Sequence, residues 1–304
     1  MIVLARKLTH HARFMQPMTA TPSWFTKAVS RPAESRFVDV GGAAIHYLSW
    51  NPADTHKPGL LFAHGFRAHA RWWSFVAPFF LSRFRVVALD FAGMGDSAAR
   101  ERYESLDFSR AIVGVLEHAG LGRATLVGHS FGGGRVARAC VDFPDCVERA
   151  VIVDSTMPLP QNDGRRPPAL ELRPKKIYAT LATARERFRL VPEQNCAAPY
   201  VLDYVGLHSL QEVPGGWTWK FDENFLPRQI NDSQDWSESV LSRIQVPVTF
   251  IYGDQSRVVS RELAHAIVGY LPHGRGPIAI PQSHHHDMLD QPLALVSALK
   301  AILY

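Results

Sequence analysis

The feature that most constrains this 304-residue chain is one junction. An apolar run at 124–127 passes directly into Gly128-His129-Ser130-Phe131-Gly132-Gly133-Gly134, and an amphipathic stretch then continues to Asp142. The pattern predicts a strand that hands over to a helix through a sharp turn. The residue at the apex of such a turn sits in strained backbone geometry, and only very small residues two positions to either side avoid a clash. The turn lifts the apex side chain above the sheet edge. The helix behind it points N–H groups and a positive dipole end at any negative charge that develops there. Ser130 is therefore the candidate nucleophile, and Gly133 and Gly134 let the following helix lie close to the sheet.

The rest of the chain repeats the strand–helix alternation. Runs at 36–40 and 44–50 read as a strand pair turned by Gly41-Gly42. Apolar strands are expected at 59–63, 85–89, 124–127 and 150–153, with helices at 72–81, 106–118 and 131–142. Residues 156–236 break the pattern with prolines, long helical stretches and few β-like runs. It resumes with strands at 246–252 and 276–280 and helices at 261–270 and 292–303. Strands that are apolar throughout, alternating with helices, imply a mostly parallel, doubly wound α/β sheet covered on both faces. The expected organisation is an N-terminal extension over 1–33, one α/β core formed by 34–155 and 237–304, and a helical lid or cap inserted at 156–236.

Composition narrows the function classes. The net charge of +5 is carried by Arg6, Lys7, Arg13, Lys27 and Arg31 in an arm without acids, and the remainder is formally neutral. A nucleic-acid binder would spread its basic residues over a folded face, so none is expected as partner. No run is long and apolar enough to span a bilayer. Three cysteines without CxxC spacing argue against a disulfide framework or a zinc site, and fit a reducing cytoplasm.

Two further segments complete a nucleophilic site. His64-Gly65-Phe66 ends the 59–63 strand, so the Phe66 amide can join the Phe131 amide, next to the nucleophile, as an oxyanion hole. Ser283-His284-His285-His286-Asp287 follows the last strand and offers an imidazole as general base, which a serine hydroxyl needs at neutral pH. Adjacent histidines point in different directions and no matching carboxylate–histidine motif occurs elsewhere, so no metal and no cofactor are expected.

Taken together, His64-Gly65-Phe66, the run Asp90-Phe91-Ala92-Gly93-Met94-Gly95-Asp96-Ser97, the Ser130 turn and the terminal histidine before Gln291-Pro292 resemble the α/β-hydrolase superfamily from Arg36 to the end. The chain is most similar to its lidded branch of esterases, lactonases, dehalogenases and C–C hydrolases. The resemblance implies that His285, seven residues before Pro292, is the base, and that Asp90 and Gly93 form a structural turn. Many relatives carry the triad acid three residues after the glycine of the penultimate strand, yet that position holds Ser256. Asp154, where some relatives place their acid, is the first choice, with Asp254 as the alternative. Serine at 130 argues against dehalogenation and epoxide opening, which use an aspartate there.

The insertion is aromatic, with Tyr178, Tyr200, Tyr204, Trp217, Trp219, Phe221, Phe225 and Trp236. About half are assigned to packing. Trp217 and Trp219, with Trp72, are expected to line an apolar substrate pocket, whereas Arg67 and Arg71, which could meet a substrate carboxylate, read first as exposed. The expected function is hydrolysis of a small-to-medium, largely apolar ester or lactone through an acyl-enzyme. The alternatives are C–C hydrolysis of a ring-fission product and a ligand-binding homologue without turnover.

Overall fold

A computed structural model describes residues 21–157, 159, 174–229 and 238–304. The strands β1 (Glu34–Val40), β2 (Ala43–Trp50), β3 (Gly59–Ala63), β4 (Arg85–Leu89), β5 (Ala124–His129), β6 (Val147–Val153), β9 (Val248–Gly253) and β10 (Gly274–Ile280) form one eight-stranded sheet. Their order is β1-β2-β4-β3-β5-β6-β9-β10. Only β2 runs antiparallel to its neighbours β1 and β4; all other pairs are parallel. The Gly41-Gly42 turn closes the β1–β2 hairpin with φ of +58° and +80°, backbone that glycine adopts without steric cost.

The strands read as continuously apolar because both sheet faces are covered. Along β3, Leu61 and Ala63 join one core while Leu60 and Phe62 join the other; β4 divides Val87 and Leu89 from Val86 and Ala88 in the same way. The first core lies under helices α2 (Ser105–His118), α3 (Phe131–Asp142) and α8 (Arg261–Tyr270), with the short α7 (Glu238–Ser242) beside them. The second lies under α1 (Ser23–Val29) and α10 (Pro292–Leu303). This is the doubly wound architecture expected of the pattern, and it brings the strand C-termini to one edge, where open α/β sheets place their sites.

Several local expectations need correction. The helix expected at 72–81 is two short 3₁₀ turns, Ala70–Trp73 and Ala77–Phe80. Pro78 cannot continue a helix, and Trp72, Trp73, Phe75, Val76, Ala77 and Phe80 are all buried, so the segment lacks a polar face. β10 begins earlier than expected, at Gly274, and its register shifts between Arg275 and Ile278, where Gly276-Pro277 interrupts the ladder.

The insertion contains helices α4 (Leu181–Glu186), α5 (Pro199–His208) and α6 (Phe225–Arg228), and also an unexpected antiparallel ribbon of β7 (Leu210–Val213) and β8 (Gly216–Trp219). Gly215 and Gly216, both at positive φ, make the hairpin bend. Residues 158, 160–173 and 230–237, with Trp236 among them, lie outside the described residues. Among those described, no helix is long and apolar enough to cross a membrane.

The segment assigned to an extension through residue 33 includes α1, whose Phe25 is buried against Phe75, Tyr200 and Tyr204 at ring separations of 5.6, 4.9 and 5.7 Å. Residues from 23 onward thus belong to the packed body. The turn after β4 is built around the buried Asp90. Its carboxylate accepts from His46 Nδ1–H (2.7 Å), the Ala70 amide (2.5 Å) and the Asp96 amide (2.9 Å). Gly95, at φ +59°, is required because a Cβ there would strike that carboxylate. Burial opposes ionisation of Asp90, but the His46 hydrogen bond and charge outweigh it and hold its pKa at about 2.

Two outcomes test this packing. Phe25→Ala should cost about 3 kcal/mol of stability, measured by denaturant unfolding; a loss near zero would detach α1 from the core. Because the Asp90 pKa is lowered on folding, its contribution is complete above the ordinary carboxylate range. It should fade as pH drops from about 4 to about 2, amounting to about 2 kcal/mol. In Asp90→Asn, unfolding followed across that interval should lose this part of its pH dependence.

Candidate active site

Ser130 stands between β5 and α3 with φ +52° and ψ −120°, a conformation that costs an L-residue energy. The flanking glycines explain how the chain tolerates it. A Cβ on Gly132 would lie 2.6 Å from the Ala63 carbonyl oxygen and 2.5 Å from that of His64, and one on Gly128 would meet the Gly132 backbone. The turn is pinned by the Ser130 amide donating to Val153 O (2.9 Å) and by the Ser155 hydroxyl donating to Ser130 O (2.7 Å).

His285 lies in the loop after β10, just before α9 (Asp287–Asp290). Its Nε2 accepts from the Ser130 hydroxyl at 2.9 Å, and its Nδ1–H donates to Asp154 Oδ1 at 2.7 Å. Asp154, at the C-terminal end of β6, is fully buried and adopts φ +42°, a conformation aspartate tolerates. Its Oδ2 accepts from the Gly253 amide at 2.9 Å. The Ser256 hydroxyl donates to Asp154 Oδ1 at 2.8 Å while accepting from the Val258 and Val259 amides, both at 3.1 Å. Ser256, at the position where the resemblance implied an acid, orients the Asp154 carboxylate instead. Its position three residues after Gly253 was the available signal for this role. Asp254 makes no bond to His285; its carboxylate accepts from the Ser283 amide at 3.4 Å and ties the loop to β9.

A second carboxylate lies close to Asp154. Burial, then the charge of nearby Asp154, pushes Asp287 well above the usual carboxylate range. Its Oδ1 accepts from the Ser283 hydroxyl at 2.7 Å. His129 donates through Nε2–H to the His285 carbonyl (2.8 Å), holding the base's backbone. Burial, reinforced by His285, pushes His129 and His286 well below the ordinary imidazole range.

These rings bear on metal binding. His129, His285 and His286 bring ligand-capable nitrogens within 4.8 Å of one another. Looking only for a carboxylate–histidine motif missed His129, which the fold brings to the same place. Both His285 nitrogens are already engaged by Ser130 and Asp154, so a metal there would compete with the serine proton.

The loop after β3 faces the serine. A Cβ on Gly65 would come 3.4 Å from Ser130 Cβ. Among the described residues, neither the Phe66 nor the Phe131 N–H donates to a protein acceptor, so both donors are free for an oxyanion. His64 is structural: its Nδ1–H donates to Gly65 O (2.7 Å) and its Nε2 accepts from the Phe91 amide (3.0 Å), which joins the β3 and β4 loops.

The aromatic lining differs from expectation. Trp219 packs within the insertion against Tyr178 (6.0 Å) and Phe188 (6.1 Å). Trp217, two residues earlier on β8, shares its face, and its backbone pairs with Tyr178. Trp219 thus contributes to the insertion's own packing. It is Phe225 that reaches the oxyanion loop, 5.5 Å from Phe66 and 5.8 Å from Phe131. Trp72 does lie beside the site, edge-on to His286 at 5.2 Å. Arg67 is half-buried over the Phe221 ring at 4.2 Å rather than extended into solvent.

The His285–Asp154 bond should give a far-downfield imidazole proton in the NMR spectrum. Asp154→Asn should remove this resonance and Asp254→Asn should retain it; the opposite pattern would exchange the two aspartates' roles.

Comparison with known proteins bears on the family and the fold. A model of the alpha/beta hydrolase family matches residues 60–299. A bifunctional esterase/perhydrolase of Acinetobacter calcoaceticus is 29% identical over 233 residues, covering 73% of this chain and 82% of that protein. An esterase of Mycobacterium tuberculosis is 27% identical over 274 residues, covering 87% and 88% respectively. The thioesterase domain from the curacin biosynthetic pathway shares the fold with a TM-score of 0.72 at 24% identity, covering 88% of this chain and 99% of that chain. With a family match extending over most of its length, the chain belongs to the alpha/beta hydrolase family.

Proposed function

We propose that this protein is a cofactor-free serine hydrolase that cleaves a small-to-medium, largely apolar carboxylic ester or lactone through an acyl-enzyme. One observation carries the reading: the unbroken hydrogen-bonded chain from Ser130 through His285 to Asp154, beside two free amides. Ser130 Oγ attacks the ester carbonyl carbon as His285 Nε2 takes its proton. Asp154 holds the tautomer that leaves Nε2 free and stabilises the imidazolium that forms. The Phe66 and Phe131 amides hold the oxyanion, each such donor being worth about 3 kcal/mol. Collapse of the intermediate expels the alcohol, which receives the proton from His285. Water, deprotonated by the same imidazole, then attacks the acyl-enzyme and releases the acid.

In this reading, the described part of the insertion, residues 174–229, acts as a lid over the serine, with Phe225 and Trp72 as apolar contacts. The names of two relatives, both esterases, support the choice of ester over other acyl compounds. We assign the protein to a reducing cytoplasm, where the free thiols of Cys140, Cys146 and Cys196 would persist.

A panel of nitrophenyl esters and lactones, run beside a dienoate diketone, tests the proposal. Wild type should turn over esters faster than the diketone. Ser130→Ala should lose nearly all turnover, Asp154→Asn should lose roughly ten-thousand-fold in kcat, and Asp254→Asn should keep most. Faster cleavage of the diketone would favour C–C hydrolysis. Absence of turnover together with absence of fluorophosphonate labelling, in folded protein, would favour a binding role.

A further inference from the structure

We infer that the esters this site takes carry a carboxylate on an otherwise apolar body, and that Arg67 receives it at the rim of the oxyanion loop. The inference rests on the serine-esterase reading and deepens it. Arg67 lies two residues after Gly65, the glycine that packs against Ser130, and adopts φ +55°, a strained conformation for a side chain of its size. Its guanidinium lies 4.2 Å from the Phe221 ring centroid and 5.5 Å from that of Phe66. It is therefore held between the oxyanion loop and the insertion, two segments that flank the space over Ser130.

Arg67 differs from other partly or fully buried arginines in its terminal nitrogens. Arg85 and Arg100 share its buried, unpaired Nε, yet Arg85 donates to the Ala119 and Gly120 carbonyls and Arg100 to those of Val40 and Gly41. Among the described residues Arg67 has neither a hydrogen-bond partner nor an acidic partner, and its Nε is buried and unpaired. Aromatic faces compensate only part of the hydration it loses. A second cation, Lys175, lies 5.6 Å from the same Phe221 ring and is anchored by donating to Phe221 O at 2.7 Å. Lys175 is balanced by Glu223, whose carboxylate accepts from the Lys175 amide at 2.9 Å, and by Asp222, which leaves the Arg67 guanidinium as the cation without an acidic partner here among the described residues. A planar guanidinium pre-ordered by ring stacking suits two-point recognition of a carboxylate, and low local dielectric strengthens the pairing.

The competing explanation is that Arg67 merely fastens the insertion through Phe221. Matched substrates separate the two. One pair is p-nitrophenyl hemisuccinate and p-nitrophenyl butyrate, with the charge on the acyl side. The other is 4-acetoxybenzoate and its methyl ester, with the charge on the leaving group. Wild type should prefer the charged member of at least one pair by about tenfold in kcat/KM, and the preference should shrink at high salt. Arg67→Gln should lower kcat/KM for that charged member at least about tenfold more than for its neutral partner, and Arg67→Lys should restore part of the difference.

Should Arg67→Gln fail to fold, wild type alone decides: succinate should inhibit competitively and succinamide should not. Equal losses on both members, or equal wild-type rates with no salt dependence, would overturn the inference while leaving esterase activity standing. Failure to hydrolyse every ester, charged or neutral, would instead remove the esterase reading and this inference with it.

Discussion

The proposed chemistry depends on one hydrogen bond, from His285 Nδ1–H to the buried carboxylate of Asp154 at 2.7 Å. It joins residues 131 positions apart, one at the end of β6 and the other in the loop after β10. Without it the imidazole would be free to rotate or to present the wrong tautomer to Ser130. The sheet makes the bond possible. β6 and β9 are adjacent and parallel, so the Gly253 amide caps the same carboxylate, and β9 pairs with β10, which delivers the histidine loop. The order of strands, more than any loop, sets the distance between base and acid.

The second constraint is the crowding around Ser130. Its backbone is forced into an unfavourable conformation because β5 must turn into α3 within one residue, and the glycines on either side leave no room for any other solution. The cost is offset by the hydrogen bonds from Ser155 and to Val153, and by two fully buried cores that hold strand and helix in register. Strain at Ser130, the proposed nucleophile, is thus maintained by the two buried cores that pack against its strand and helix.

How much of this was legible in the sequence follows from how local each signal is. The serine turn was fully legible, because the glycine spacing reports a backbone clash within five residues. The strand pattern was legible because both sheet faces are buried, leaving continuous apolar runs. Asp154 could be named only through the vacancy at Ser256, and the positioning role of Ser256 needed the fold, since its partner lies 102 residues away. The aromatic cap was the least legible part. Trp217 and Trp219 sit on a short ribbon whose two glycines also suit an ordinary loop, and nothing in their spacing tells an inward from an outward face. The 72–81 segment misled for a related reason: apolar residues crowd every side of it, and a stretch buried all round satisfies helical periodicity without being a helix.

The proposed chemistry requires that Ser130 become covalently acylated. Rapid quenching of the protein during turnover of a nitrophenyl ester, followed by peptide mass mapping, checks this step. An acyl adduct is expected on the peptide that contains Ser130, absent in Ser130→Ala. Undiminished turnover in Ser130→Ala, or an adduct on a different residue, would contradict it.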